Sequence, residues 1–184
     1  MTAITTTALT GGQALVQSLL REGVDTIFGI PGIQLDWAYD AIYAARDQIR
    51  VVHPRHEQAT AYMADGYARS TGKVGVYLVV PGPGVLNTTA ALSTAYSCNS
   101  KVLCLTGQIQ SDLIDVGRGV LHEIPDQLGM LRHITKWAAR GSSSGEIPAL
   151  VHEAFRQLHS GRPRPDASEG PPDGLMATGD ARLG

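Results

Sequence analysis

The sequence lacks the materials of several familiar kinds of protein. Only two cysteines, Cys98 and Cys104, occur among 184 residues. No disulfide framework is therefore implied, and a reducing cytoplasm is the expected compartment. Charge is nearly balanced, with 15 Lys and Arg against 17 Asp and Glu, a formal net of −2. Basic residues are nowhere gathered into a run, so nothing attracts nucleic acid or an anionic membrane. No apolar stretch approaches the roughly 18 residues that a membrane helix needs. The opening MTAITTTALTGG has neither the charged start nor the apolar core of a secretory signal. There is no Gly-x-Gly-x-x-Gly fingerprint and no Walker loop. What the chain does have is glycine, 21 residues of it, where average usage would give about 13. Without a repeat, that excess means tight turns where backbone can approach a ligand.

Strand-like and helix-like segments alternate. That pattern predicts βα units and a doubly wound, mostly parallel sheet with helices on both faces. Thr10 is placed to cap a helix carrying Leu15, Val16, Leu19 and Leu20, ended by Gly23. Strands are expected at 26–28, 51–52, 74–80 and 102–105, and helices at 35–45, 56–70 and 86–97. The 74–80 segment is almost wholly apolar, as a strand buried on both faces should be. Residues 110–130 read as an irregular loop with a short helix. Ile147, Leu150, Val151, Ala154, Phe155 and Leu158 then form one apolar stripe of a helix.

The end of the chain reads differently. Of the last 24 residues, nine are Gly or Pro and six are apolar. No residue between 165 and 170 is β-branched or aromatic. A domain over 1–163 followed by a loose, disordered tail over 164–184 is therefore expected.

Three Gly or Pro turns follow three of the predicted strands: Gly29-Ile30-Pro31-Gly32, Pro81-Gly82-Pro83-Gly84 and Thr106-Gly107-Gln108. In a doubly wound sheet, ligands bind outside the carboxyl ends of the strands. Three such turns at one edge would line a pocket for a flat ring, although each alone also reads as an ordinary strand end. Glu57 falls in the first turn of a helix at the same edge. It reads either as a carboxylate complementing the helix dipole, or as a carboxyl group facing an apolar pocket, where it would hold a proton for a ligand nitrogen. His53 and His56 straddle a strand-to-helix junction without a third ligand nearby, so no metal site is expected. Cys98 and Cys104 read as small core residues. Asn87 reads as a local cap or a polar pocket group, and Arg118 with His122 as solvated surface.

The block Arg55-His56-Glu57-Gln58-Ala59-Thr60-Ala61-Tyr62-Met63-Ala64-Asp65-Gly66-Tyr67-Ala68-Arg69 carries a resemblance. It is joined in order by Gly23 to Gly32, Gly82-Pro83-Gly84 with Asn87, Thr106-Gly107-Gln108, and Ile134-Thr135-Lys136-Trp137. Over about residues 8–165 the chain resembles the N-terminal, pyrimidine-binding domain of thiamine diphosphate enzymes of the acetolactate synthase type.

The resemblance implies roles. Glu57 would be the catalytic glutamate that hydrogen-bonds N1′ of the cofactor's aminopyrimidine ring. That bond favours the tautomer whose 4′ nitrogen takes the C2 proton of the thiazolium. A 2-keto acid would then be decarboxylated and the product joined to a second carbonyl compound. Ile30, Pro31 and Gly32 would flank the pyrimidine with Pro81 and Gly82, Asn87 would stand near it, and Gln108 would lie toward the substrate. In the family, a separate domain of a neighbouring subunit anchors the diphosphate through Mg²⁺, held by a Gly-Asp-Gly motif with a later Asn. Here only Gly179-Asp180-Ala181 comes near that motif, and it comes too late.

This chain is therefore expected to hold the proton-transfer half of a site, to be inactive alone, and to self-associate as a homodimer or higher oligomer. The helices at 56–70 and 86–97 would be exposed in a monomer. Two alternatives stay open: a self-associating minimal thiamine diphosphate-binding module with weak cofactor activation, and a non-catalytic assembly scaffold. Donor and acceptor substrates, and whether FAD accompanies such a chain, also stay open. After Arg162-Pro163-Arg164-Pro165 the family continues in an apolar strand, whereas this chain has Asp166, Ser168 and Gly170. That departure would suit the terminal segment of an excised domain made soluble, an idea that an ordered, paired strand at this place would sink.

Overall fold

The structure is a computed structural model describing residues 6–183. Residues 1–5, where the reading against a secretory signal begins, lie outside the described residues. Strand β1 (Thr6–Thr10) leads into helix α1 (Gly11–Arg21). Thr10 caps α1 as expected: its Oγ1 accepts the Gln13 N–H at 3.2 Å, and Gln13 Oε1 returns the bond to the Thr10 N–H at 3.0 Å. Such a reciprocal cap contributes about 1 kcal/mol.

Then come β2 (Thr26–Gly29), α2 (Asp36–Ala44), β3 (Arg50–Val52), α3 (Glu57–Thr71) and β4 (Gly75–Val79). The expected helix at 86–97 is two pieces, α4 (Pro83–Asn87) and α5 (Thr89–Ser97). The chain goes on through β5 (Val102–Gly107), α6 (Gln127–Arg132), β6 (Trp137–Arg140) and α7 (Ile147–His159). It ends in β7 (Asp166–Gly170), α8 (Pro172–Met176) and β8 (Thr178–Arg182).

Six strands form one parallel sheet in the order β3-β2-β4-β5-β7-β6. Side chains alternate across it. Val76, Leu78, Leu103 and Leu105 face the layer of α1, α2 and α7, while Tyr77, Val79, Val102 and Cys104 face the layer of α3, α5 and α6. Two apolar cores result, one on each face, as the doubly wound reading requires. No described helix is long and apolar enough to cross a membrane.

The expectation for the tail is corrected. Residues 166–170 form an inner strand, hydrogen-bonded to β5 on one side and β6 on the other. Strand β8 then pairs antiparallel with β1, so the chain shows no break at residue 163, and the idea of a solubilised terminal segment falls. Backbone pairing on both sides overrides the poor β propensity of Asp-Ala-Ser-Glu-Gly. The cost is visible in the side chains. Asp166 and Ser168 are buried, and neither carboxylate oxygen of Asp166 nor the Ser168 hydroxyl makes a hydrogen bond.

Cys98 is also corrected, since it is exposed at the end of α5. Cys104 does lie in the core, where burial pushes its thiol up to about 12.

Candidate functional site

Strands β3, β2, β4 and β5 lie side by side and parallel, so the segments after them share one edge of the sheet. Glu57 is the first residue of α3. His56 is extended and caps the helix, its Nδ1 accepting the Gln58 N–H at 3.1 Å. This cap presents the half-buried Glu57 at the helix N-terminus, where the dipole favours a carboxylate. Asn87, the last residue of α4, donates from Nδ2 to Glu57 Oε2 at 3.0 Å. Glu57 Oε1 has no hydrogen-bond partner among the described residues.

The glycine turns sit beside this pair. The Ile30 N–H bonds Leu78 O at 3.3 Å, holding the turn against β4, and Gly32 O accepts the Leu35 N–H at 2.8 Å to start the turn into α2. Pro31 is exposed. Gly82 has φ +57°, and a Cβ there would stand 2.3 Å from His122 O. Both facts require glycine. The backbone of Gly84 runs past the Glu57 side chain, with Glu57 Cγ 4.0 Å from where a Cβ would be.

Gln108 is 4% exposed. Its N–H bonds Gly170 O at 3.0 Å and its Oε1 takes the Ile109 N–H at 2.7 Å. Its Nε2 has no partner among the described residues. The structure thus brings Glu57 and Asn87 into contact. Neither the 30–32 turn nor Gln108 hydrogen-bonds to them.

Sequence reasoning missed what lies behind the edge. Gln127, at the start of α6, is buried and makes three hydrogen bonds: Oε1 with the Gly82 N–H at 2.8 Å, and Nε2 with Gly107 O at 3.0 Å and Glu169 Oε2 at 2.7 Å. Arg140 Nε closes the chain on Glu169 Oε1 at 2.6 Å. His122 is not merely solvated surface. It is half-buried, and its Nδ1 donates to Gln34 Oε1 at 2.9 Å, while Gln34 Nε2 donates to Leu121 O at 3.2 Å. These links join residues far apart in sequence, and no spacing signal announces them.

His53 Nδ1 contacts Gly29 O at 2.8 Å and His56 is spent on its cap. Among the described residues no His, Cys, Asp and Glu side chains group as a metal site would require.

The molecule is thus an α/β domain, a doubly wound parallel sheet with a paired carboxylate and carboxamide at its carboxyl edge, which is where ligands bind in such sheets. The comparisons place it more narrowly. The family model described as "Thiamine pyrophosphate enzyme, N-terminal TPP binding domain" matches residues 9–130, and the chain belongs to that family. Over 169 residues, 92% of the chain, it is 42% identical to a probable 2-ketoarginine decarboxylase, AruI, of Pseudomonas aeruginosa, covering 30% of that protein. It is 39% identical to the mitochondrial acetolactate synthase catalytic subunit of Saccharomyces cerevisiae, over 90% of the chain and 23% of that protein. With the acetolactate synthase large subunit of Haemophilus influenzae it shares 41% over 90% of the chain and 28% of that protein. The chain thus spans less than a third of the length of these relatives and matches the N-terminal part of acetolactate synthase-like enzymes.

Proposed function

We propose that this chain is the pyrimidine-binding portion of a thiamine diphosphate enzyme that decarboxylates a 2-keto acid and joins the product to a second carbonyl compound. One observation carries the reading. Glu57 is held on one oxygen by Asn87 and keeps the other free, at the edge where the glycine turns converge. That donor set fits an aminopyrimidine. Glu57 Oε1 would meet ring atom N1′ and hold a proton there, which shifts the ring toward its imino form. Asn87 orients the carboxylate. The turns at Ile30-Pro31-Gly32 and Pro81-Gly82 would flank the ring with backbone and small side chains, excluding water. Bound thiamine diphosphate supplies the carbon nucleophile and the electron sink for decarboxylation.

On this reading the diphosphate and its Mg²⁺ are held by another domain, from a neighbouring subunit. The chain alone is inactive and associates with a second copy. The exposed Tyr62, Met63 and Leu86 on α3 and α4 support association, being apolar side chains left uncovered in a single copy.

The test is deuterium exchange at C2 of thiamine diphosphate with Mg²⁺, followed by proton NMR. The chain is measured alone and mixed with a large subunit of a relative lacking its own N-terminal domain. The expected result is the free-cofactor rate for the chain alone, acceleration in the mixture, and loss of that acceleration with Glu57→Gln. An equal rate in mixtures made with the wild-type chain and with the Glu57→Gln variant overturns the reading. Acceleration by the chain alone would favour a minimal self-sufficient module.

A further inference from the structure

Asp166 opens β7 at the amino edge of the sheet, the edge opposite Glu57. It is fully buried, and neither oxygen of its carboxyl group has a hydrogen-bond partner. Strands lie on both sides of it, with Leu103 of β5 and Trp137 of β6 as its neighbours in register. Neighbours in register share a face of the sheet, and this face is the one that α7 covers. A buried carboxylate without a partner is strongly unfavourable. Burial accordingly pushes the carboxyl up to about 7, against the pull of Lys136 and the Trp137 N–H, with Glu153 adding to the rise.

The charged groups around it are few, and all but one are engaged. On α7, Glu153 is bonded to Arg156 and to Gln157 Nε2, while His159 is exposed and lies against the Phe155 ring. Leu103 of β5 brings no charge. Arg164 is drawn to α5 on the other face, where it stacks over the Tyr96 ring and bonds its hydroxyl. Lys136 remains. Its N–H bonds Pro165 O at 2.8 Å, which fixes its backbone beside the start of β7. Its ammonium nevertheless reaches the end of α7, donating from Nζ to Gln157 O and Ser160 O. Such carbonyls are the ones a helix end leaves unpaired. Gln157 O also takes the Ser160 N–H and hydroxyl, each at 3.3 Å. Among the described residues, Ser160 O has Lys136 alone.

We propose that Lys136 is a pH-operated switch between two acceptors, the end of α7 and the carboxyl group of Asp166. While Asp166 is a neutral acid, Lys136 ties Ser160 O and closes the last turn of α7. Once Asp166 gives its proton to solvent, the ammonium swings to the carboxylate, which is the stronger acceptor because it is charged. Ser160 O then loses its donor, and the last turn of α7 loosens together with residues 160–165. The closed arrangement belongs below about pH 7 and the loosened one above it, because the raised carboxyl is protonated on the acid side. One side chain is the two-state element, and one proton biases it.

The experiment is an NMR titration of the whole chain across neutral pH. Three signals are followed: the Asp166 carboxyl carbon, the Lys136 side chain, and the Cα carbons of Leu158, His159 and Ser160. These resonances report the folded molecule, so a general loss of stability does not move them. The expected result is one shared midpoint for Asp166 and Lys136, with the Cα shifts leaving their helical values as pH rises through it. Asp166→Asn keeps the shape and removes the charge, so its Lys136 signal should stay flat. It carries the same His159, and the difference between it and the wild type isolates the response to Asp166. Lys136→Met should show the loosened α7 end already on the acid side. Its Asp166 midpoint should rise, because the nearby cation is gone. Lys136→Arg keeps the cation and should restore a pH response. Unchanged resonances in β4 and β5 establish that each variant is folded.

A Lys136 signal that stays flat while Asp166 titrates overturns the proposal. So does an α7 end that moves equally in the wild type and in Asp166→Asn, or one that stays closed in folded Lys136→Met. An Asp166 carboxyl group ionised at every pH tested overturns it as well. No readout here involves thiamine, so failure of the switch leaves the cofactor reading where it was.

Discussion

Gln127 Nε2 donates to Glu169 Oε2 at 2.7 Å across 42 residues of sequence, and the same side chain takes the Gly82 N–H on its Oε1. One amide thus ties the turn after β4 to the ends of β5 and β7. The edge that carries the candidate site is fixed from behind by a buried side chain.

Replacing that amide should be costly. Gln127→Leu would strand the Gly82 N–H and one oxygen of a buried carboxylate at once, and leave the Gly107 carbonyl with only the Thr106 hydroxyl at 3.3 Å. Each unsatisfied buried group costs about 1–3 kcal/mol, so a loss of about 4 kcal/mol is expected, read as a fall in the urea midpoint. Gln127→Glu should be no better, because it sets a second carboxylate against Glu169. A loss under about 1 kcal/mol for both variants would show that the tie carries little.

Asp166 makes stability depend on pH in an unusual direction. Burial raises its carboxyl from 3.8 to about 7, against the partial pull of Lys136 and the Trp137 N–H, with Glu153 adding to the rise. A carboxyl group raised on folding contributes most when it is protonated in both states. Stability from this group is therefore full below about pH 4 and is lost as pH climbs through about 7. The loss is on the order of 3 kcal/mol. Asp25 and Glu153 act oppositely and in another window. Their carboxyls are held down to about 2, chiefly by hydrogen bonds from Lys73 and from Arg156, so their contribution fades only below about pH 4. Urea midpoints measured from pH 4 to 8 should fall in the wild type. In Asp166→Asn that slope should flatten, and an equal slope in both would refute the assignment.

The neighbouring Ser168 offers a gain. Its hydroxyl has no partner, and it borders a void of about 30 Å³ shared with Leu15, Leu78, Leu105 and Val151. Ser168→Val removes the unpaired oxygen and fills space on the α1/α7 side of the sheet. A stabilisation of about 1 kcal/mol is expected, measured as a rise in Tm of roughly 2–4 °C. A lower Tm would mean that the void cannot take the added carbon without strain.

How far the sequence reveals all this depends on how local each signal is. Helix α1 was legible because Thr10 and Gly23 mark its two ends and Leu15, Val16, Leu19 and Leu20 give one apolar face between them. Strands β4 and β5 were legible because burial on both faces leaves an unbroken apolar run. Strand β7 was not, since Asp166, Ser168 and Gly170 carry every local mark of a loop and only pairing to β5 and β6 makes them a strand. Strand β1 escaped for a similar reason: a threonine-rich segment on a small outer sheet shows no apolar face. At the site, Glu57 was legible as a carboxylate at a helix start, and spacing said nothing of Asn87 reaching it. Resemblance to a family put Asn87 near the pyrimidine, and only the structure gives its bond to Glu57. Gln127 and Glu169 had neither route, because a buried amide tie leaves no periodicity.

The loop between β5 and α6 gives the last prediction. Asp115, His122 and Asp126 have positive φ without being glycine, and Gly117 and Gly119 join them. A segment so strained keeps one shape only where its surroundings hold it. Two bonds to the buried Gln34 do so at one end, from His122 Nδ1 and to Leu121 O. Gln34→Leu removes both and leaves the apolar packing of the side chain in place. Hydrogen exchange at the amides of 114–124 should then quicken about tenfold or more while exchange in β4 and β5 stays slow, which is local opening rather than unfolding.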